Sequence, residues 1–279
     1  MNINTVFFDL DGTLLTDEKT ITAETLDALQ ELYHKNINVV IATGRNFNGA
    51  MSILKGIDGI KYIITSNGAA IFQGDNPVPI FKNEMDNELV LSLCNALDME
   101  NIIFDPFICG QAYTEEKNIE HIKNLDVPDS VKNFIIANRK TVPSITDLLK
   151  KERCGAEKVT INFKTLPDGT LFKRDETINI VNSFNALTCV TGGSNNIEVT
   201  LKDATKGNAL LKILDLLHSD TDSSMAFGDS ENDLDMIRTV RYGIAMGNAQ
   251  DIVKNAACYV AKTNNENGVA KALKELKVL

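Results

Sequence analysis

Two carboxylates stand two residues apart in Val6-Phe7-Phe8-Asp9-Leu10-Asp11-Gly12-Thr13-Leu14-Leu15, directly after three apolar residues of strand type. An ionised aspartate at the end of a buried strand loses hydration unless something charged meets it. Two acids at that point call for a cation, and the carboxyl ends of parallel strands are where open α/β sheets bind ligands. A strand followed by an Asp-Gly turn would give the same letters and need no ligand. Three further groups bear on the choice: Thr43 with Gly44, Lys206, and the run Gly228-Asp229-Ser230-Glu231-Asn232-Asp233. Each has a bland counterpart: a strand-to-helix turn, a solvated helix lysine, and an acidic helix N-terminus favoured by the helix dipole. What they share is position. All fall where one sheet would present its C-terminal edge.

Together the groups make a phosphate site with a metal. Asp9 and Asp229 are hard oxygen ligands, and Mg2+ takes one or two of these with waters and a substrate phosphate oxygen. Thr43 offers a hydroxyl and an N–H at a helix start, where anions bind readily. Lys206 offers a point positive charge to offset charge on a transferring phosphoryl group. Asn232 can donate an amide hydrogen bond. Asp9, ionised beside the metal, can attack phosphorus in line and form an aspartyl phosphate. Asp11 can give a proton to the leaving oxygen and later take one from the attacking water.

The elements that must position these groups are legible at both ends of the chain. A helix is expected over 20–36, with Leu26, Leu29, Leu32 and Tyr33 on one face, and short apolar strands at 37–42 and 62–64, with a helix over 46–55 between them. Strand and helix alternating at this spacing argue for a parallel sheet with crossover helices. The pattern resumes after Lys202, with a helix over 204–217 whose apolar face is Leu210, Leu211, Leu214 and Leu217, and a strand at 224–227 running into Asp229. Between them the texture changes. Helices are expected over 88–97 and 170–184, strands at 102–104 and 158–163, and paired strands at 187–190 and 197–200 around Gly192-Gly193. In 158–163, Val159, Ile161 and Phe163 alternate with Thr160 and Asn162, the period of a sheet with one open face. The expected organisation is an α/β, Rossmann-like doubly wound parallel-sheet core, residues 1–81 and 199–279, interrupted by an inserted α+β domain, residues 82–198.

The remaining composition narrows the class. The chain has 279 residues, 43% hydrophobic and 24% charged, which is ordinary globular composition with room for two domains. A formal net charge of −10 argues against nucleic acid and anionic membrane surfaces as partners. No basic stretch precedes an apolar run at the start, and no apolar run approaches the ~18 residues a membrane span needs. The expectation is a soluble cytoplasmic protein. Five scattered cysteines lack metal-type spacing and read as free thiols. His34, His121 and His218 are too dispersed for a histidine metal site.

Asp9-Leu10-Asp11-Gly12-Thr13-Leu14, Thr43-Gly44-Arg45, Lys206 and Gly228-Asp229-Ser230-Glu231-Asn232-Asp233 resemble the four motifs of the haloacid dehalogenase superfamily. The insertion, roughly a hundred residues long, and the runs Ser66-Asn67-Gly68-Ala69 and Met246-Gly247-Asn248-Ala249 resemble its Cof-like phosphatase branch. The resemblance implies Asp9 as nucleophile and Mg2+ ligand, and Asp11 as general acid/base with its carbonyl on the metal. It implies the Leu10 N–H, Thr43, Gly44, Lys206 and Asn232 as phosphate contacts. Asp229 and Ser230 complete the implied metal site, with Asp233 in support around it; Arg45 and Asn67, beside the core motifs, are candidates for substrate or phosphate contact.

The leading reading is a Mg2+-dependent phosphomonoesterase acting on a small phosphorylated metabolite, such as a sugar phosphate. A phosphomutase would use the same groups with sugar in place of water as acceptor. A dehalogenase has no need of Asp11 or of three acids round a metal. A non-catalytic sugar-phosphate-binding protein would usually have lost a charged member of the set. The inserted domain is expected to act as a lid that chooses the substrate, with hinges near 81–84 and 198–203 and with Asn195, Asn196 and Arg153 as candidate contacts. A monomer or small homo-oligomer is expected.

Overall fold

The computed structural model describes residues 2–193 and 195–279. They divide into two compact units, Met1–Lys82 with Ala204–Leu279, and Asn83–Asp203. Before the insertion come strands β1 (Thr5–Phe8), β2 (Asn38–Ala42), β3 (Ile60–Thr65), β4 (Ala70–Gln73) and β5 (Phe81–Lys82). The inserted unit holds β6 (Ile103–Ile108), β7 (Gln111–Glu115), β8 (Arg139–Val142), β9 (Lys158–Asn162), β10 (Leu187–Gly193) and β11 (Asn196–Leu201). After it come β12 (Ser224–Gly228), β13 (Tyr242–Ala245) and β14 (Tyr259–Val260).

The discontinuous unit is one eight-stranded sheet in the order β14-β13-β12-β1-β2-β3-β4-β5. From β14 to β3 all pairs are parallel; β4 and β5 add antiparallel at the edge. Every residue of β1 is buried, as a central parallel strand covered on both faces requires. Its side chains alternate between two cores. Val6 and Phe8 pack with Leu29, Leu32 and Leu273, whereas Phe7 packs with Leu210, Ile213 and Leu214. This is the Rossmann-like, doubly wound α/β arrangement. The helix Ala23–His34 starts where its capping chemistry says, with the Thr22 hydroxyl accepting from the Thr25 N–H. The later helix, Lys206–Leu216, buries Ala209, Leu210, Ile213 and Leu214. Leu211, expected on that face, is 46% exposed, because the buried stripe is turned one position toward Ala209 and Ile213.

The inserted unit is a six-stranded sheet in the order β10-β11-β9-β6-β7-β8, antiparallel except for β7 with β8. Val159, Ile161, Phe163, Ile197 and Val199 face the helices Asn87–Ala96, Ile145–Glu152 and Arg174–Ser183. Because β11 belongs to this sheet through Leu201, the chain returns to the first unit at 203/204 rather than at 198/199. The alternate face of β9 is not open as the alternation implies. Lys158, Thr160 and Asn162 are all buried. Lys158 forms an ion pair with Glu198 and lies over the Phe107 ring at 4.7 Å, and buried Asp105 accepts from Arg139 at 3.1 Å. Arg153 is the left-handed C-cap of the helix Ile145–Glu152, a chain-reversal role. No helix among the described residues is long and apolar enough to cross a membrane.

Candidate active site

Parallel register brings the sequence-distant groups to one edge. Phe8 lies opposite both Ile41 of β2 and Phe227 of β12, so the three strands end level. Asp9, Thr43 and Asp229 therefore emerge side by side, and the Asp9 N–H donates to the Phe227 carbonyl at 3.0 Å. Lys206 reaches the same point from the first turn of its helix, which Thr205 caps. Its side chain is wholly buried. The ammonium donates to Asp9 Oδ1 at 2.6 Å and to Asp233 Oδ1 at 2.6 Å. Asp233 Oδ2 accepts from the N–H groups of Asp229 and Ser230, at 3.0 and 3.1 Å. Asp233 is thus spent on holding Lys206 and the turn after β12.

Charge does not balance here. Carboxylate oxygens of Asp9, Asp229 and Asp233 lie within 4.8 Å of one another, with one buried ammonium among them. Burial opposes the charge of Lys206, but Asp233 and Asp9 hold its pKa above the ordinary lysine value. Burial pushes the Asp9 carboxyl well above the usual carboxylate range, with Lys206 opposing and Asp233 and Asp229 adding to the rise. Burial, reinforced by Asp233, pushes Asp229 up to about 6. Asp229 Oδ1 is buried and meets no donor, while Oδ2 accepts from the Ser230 hydroxyl at 3.1 Å. A Cβ built on Gly12, whose φ is +85°, would fall 2.5 Å from Asp229 Oδ2, so only glycine lets the turn approach this carboxylate. Surplus negative charge, an unmatched hard oxygen and a cleared approach fit a small divalent cation.

Asp11 stands apart from that cluster. Arg45 grips it through Nε to Oδ2 at 2.6 Å and a terminal guanidinium nitrogen to Oδ1 at 2.8 Å, and Lys19 adds a contact at 2.9 Å. Burial raises its pKa, but the bonds to Arg45 and Lys19 outweigh this and hold it down to about 2. Thr43 is buried, and its N–H goes to the Ile64 carbonyl at 2.9 Å, not to an anion. The helix start lies further on, at Asn46. What Thr43 retains is its hydroxyl, which accepts the Arg45 N–H at 3.1 Å. The Leu10 N–H makes no hydrogen bond among the described residues. Asn232 donates to Asn67 Oδ1 at 3.0 Å, tying the turn after β12 to the turn after β3.

A family model described as haloacid dehalogenase-like hydrolase matches residues 6–273. The chain belongs to that family. Phosphatase YwpJ of Bacillus subtilis (strain 168) is 30% identical over 293 residues, which cover 97% of this chain and 99% of that protein. The 5-amino-6-(5-phospho-D-ribitylamino)uracil phosphatase YcsE of the same organism is 27% identical over 274 residues, covering 98% and 96%. A solved haloacid dehalogenase-like hydrolase from B. subtilis superposes with a TM-score of 0.83 at 26% identity, covering 98% of this chain and all of that one. This chain is a phosphatase-type hydrolase of the Cof-like branch.

In this haloacid dehalogenase-like chain, Asp9, Lys206, Asp229, Ser230 and Asp233 converge, and Asn232 meets Asn67. Thr43, Gly44 and Arg45 follow β2, the neighbour of β1. Asn195 and Asn196 belong to the inserted unit's sheet region. Two participants escape the motif pattern. Lys19 contacts Asp11 from a left-handed backbone position, φ +61°, where no residue type marks it. Asn248 donates to the Gly12 carbonyl at 2.9 Å and steadies the turn beside Asp11. Asn248 lies in one of the branch-like runs, which is the one signal that points to it.

Proposed function

We propose that this chain is a Mg2+-dependent phosphomonoesterase that hydrolyses a small phosphorylated metabolite through an aspartyl phosphate on Asp9. The observation that carries the reading is the Lys206 ammonium held between Asp9 and Asp233 beside an unmatched Asp229 oxygen. Lys206 engages one oxygen of Asp9 and leaves the other to attack phosphorus as the ester P–O bond breaks. The same ammonium offsets charge gathering on the transferring phosphoryl oxygens. The Leu10 N–H, the Thr43 hydroxyl, Gly44 and Asn232 hold the phosphate. Asp9, the Asp11 carbonyl, Asp229 and Ser230 would hold Mg2+, whose chemistry when bound is neutralisation of phosphate charge and alignment of the phosphate with Asp9.

Asp11 gives a proton to the leaving oxygen and recovers one from the water that cleaves the aspartyl phosphate. Gripped by Arg45 and Lys19 it is ionised and suited only to the second task. An arriving phosphate competes for Arg45, and loosening that grip lets Asp11 take up the proton it must donate. The name of the relative that acts on a ribitylamino-uracil phosphate supports a small phosphorylated metabolite as the substrate class.

Purified protein should release phosphate from p-nitrophenyl phosphate only with Mg2+, and Asp9→Asn should lower kcat by about 1,000-fold or more with the fold intact by circular dichroism. Undiminished turnover in Asp9→Asn, or full turnover in EDTA, defeats the proposal. Glucose 1-phosphate should yield free phosphate; an isomeric sugar phosphate in its place identifies a phosphomutase.

A further inference from the structure

We propose that the inserted unit carries its own binding site for a planar, hydrogen-bonding heterocycle with an anionic substituent. A cavity of about 430 Å3 lies within this unit, the size range of small-ligand sites. Ile103 and Phe172 give it apolar walls, and Asn124, Asn162, His121 and Lys164 give it polar ones.

Asn162 is the residue that needs explaining. It ends β9, a strand paired on both sides, by β11 and β6, and it is 1% exposed. Its Nδ2 is shut off from solvent and donates to nothing. Its register partner on β11 is Asn196, whose Oδ1 is likewise buried and accepts nothing. Side chains of directly paired residues share a face of the sheet and stand close together. An unmet donor thus sits beside an unmet acceptor. Buried polar atoms without partners are scarce, because each has lost its water and gained no replacement. A neighbouring C=O and N–H on the edge of a pyrimidine-like ring would satisfy both at once, once the two amides turn to meet it. The flat apolar contact such a ring needs is available from Ile103 and Phe172.

The anionic group follows from the ammonium of Lys164. Lys164 and His121 lie in the wall, and the nearby acid, Glu100, is already paired with Lys117 at 3.2 Å. Asn124 supplies a further amide at the same place. The inference uses no residue of the aspartate–lysine cluster and does not rest on the phosphatase reading.

Orotate tests it, being a pyrimidine with a carboxylate and no phosphate. Full-length protein should bind it saturably by isothermal titration in the absence of Mg2+ and phosphate. The 15N–1H shifts that move should be those of residues around 103, 121–125, 162–164 and 172. Asn162→Leu should weaken binding by about tenfold or more and raise the melting temperature, since an apolar group of similar size replaces an unmatched amide. Lys164→Gln, a surface change, should weaken binding several-fold and keeps the test decisive if Asn162→Leu does not fold. Absence of saturable binding up to about 10 mM orotate overturns the inference. So do wild-type affinity in both variants, and shifts confined to the surroundings of Asp9 and Asp229. None of these outcomes touches phosphate release, so the two readings stand or fall separately.

Discussion

Asp229 and Asp11 flank the same glycine turn and are driven in opposite directions. A carboxyl whose folded pKa lies above its unfolded value holds its proton while the unfolded chain has already let go. With Asp229 at about 6, metal-free protein loses stability as pH rises from about 4 to 6, on the order of 2 kcal/mol after solvent screening. Asp11, at about 2, works the other way: its contribution is complete above about pH 4 and is lost as pH falls through 2. A cation on this cluster must displace protons from Asp229 and from the likewise raised Asp9, so Mg2+ affinity should rise with pH at least through pH 6. Titration calorimetry at pH 5.5 in buffers of different ionisation enthalpy should register proton release, smaller in Asp229→Asn. A flat affinity between pH 5 and 7.5 would show that Asp229 is not the ligand. Asp9 and Asp229 were legible in the sequence because an acid at a strand's end is chemically out of place. Lys19 was not, because a lysine in a polar turn looks like any other, and only the fold carries it to Asp11.

At the scale of elements, the site depends on how the helix Lys206–Leu216 is seated. Gly68 adopts φ +112°, and a Cβ there would lie 2.2 Å from the Thr205 carbonyl at the helix start. The turn after β3 and the helix N-terminus therefore fix each other, and with them the position of Lys206. Gly68→Ala should cost about 2–4 kcal/mol in urea denaturation, from backbone strain and the collision together. It should lower kcat in the same variant, because Lys206 moves with its helix. A wild-type midpoint, or lost stability with kcat untouched, would show that the seating does not position the lysine. Periodicity located this helix yet included Leu211 in the wrong stripe, since apolar spacing cannot say which neighbour the helix will meet. Strands β4 and β5 have no signature in the sequence for a related reason. They are short, at the sheet edge, and carry no alternation of their own.

For the whole molecule, the change of texture in mid-sequence has a physical counterpart in separate cores. Phe8, Leu29 and Phe227 belong to one unit, and Phe104, Leu149 and Ile161 to the other. The break at the far side was blurred because β11 alternates like any strand, and nothing in its letters says which sheet it will join. The polar face of β9 is buried despite its letters for the same reason: alternation records residue type, and only the fold decides whether Thr160 and Asn162 meet water. If the cores are independent, weakening one should leave the other tight. Leu149→Ala removes a fully buried side chain and should destabilise the inserted unit by about 2–5 kcal/mol. Native-state hydrogen exchange should then quicken across β6 and β9 while β1 and β12, which lead into Asp9 and Asp229, keep wild-type protection. Equal quickening in all four strands would mean one cooperative unit, and the aspartate–lysine cluster would then feel every substitution in the inserted unit. Separate responses would mean that the inserted unit can change its cavity without disturbing the edge where Asp9, Lys206 and Asp229 meet.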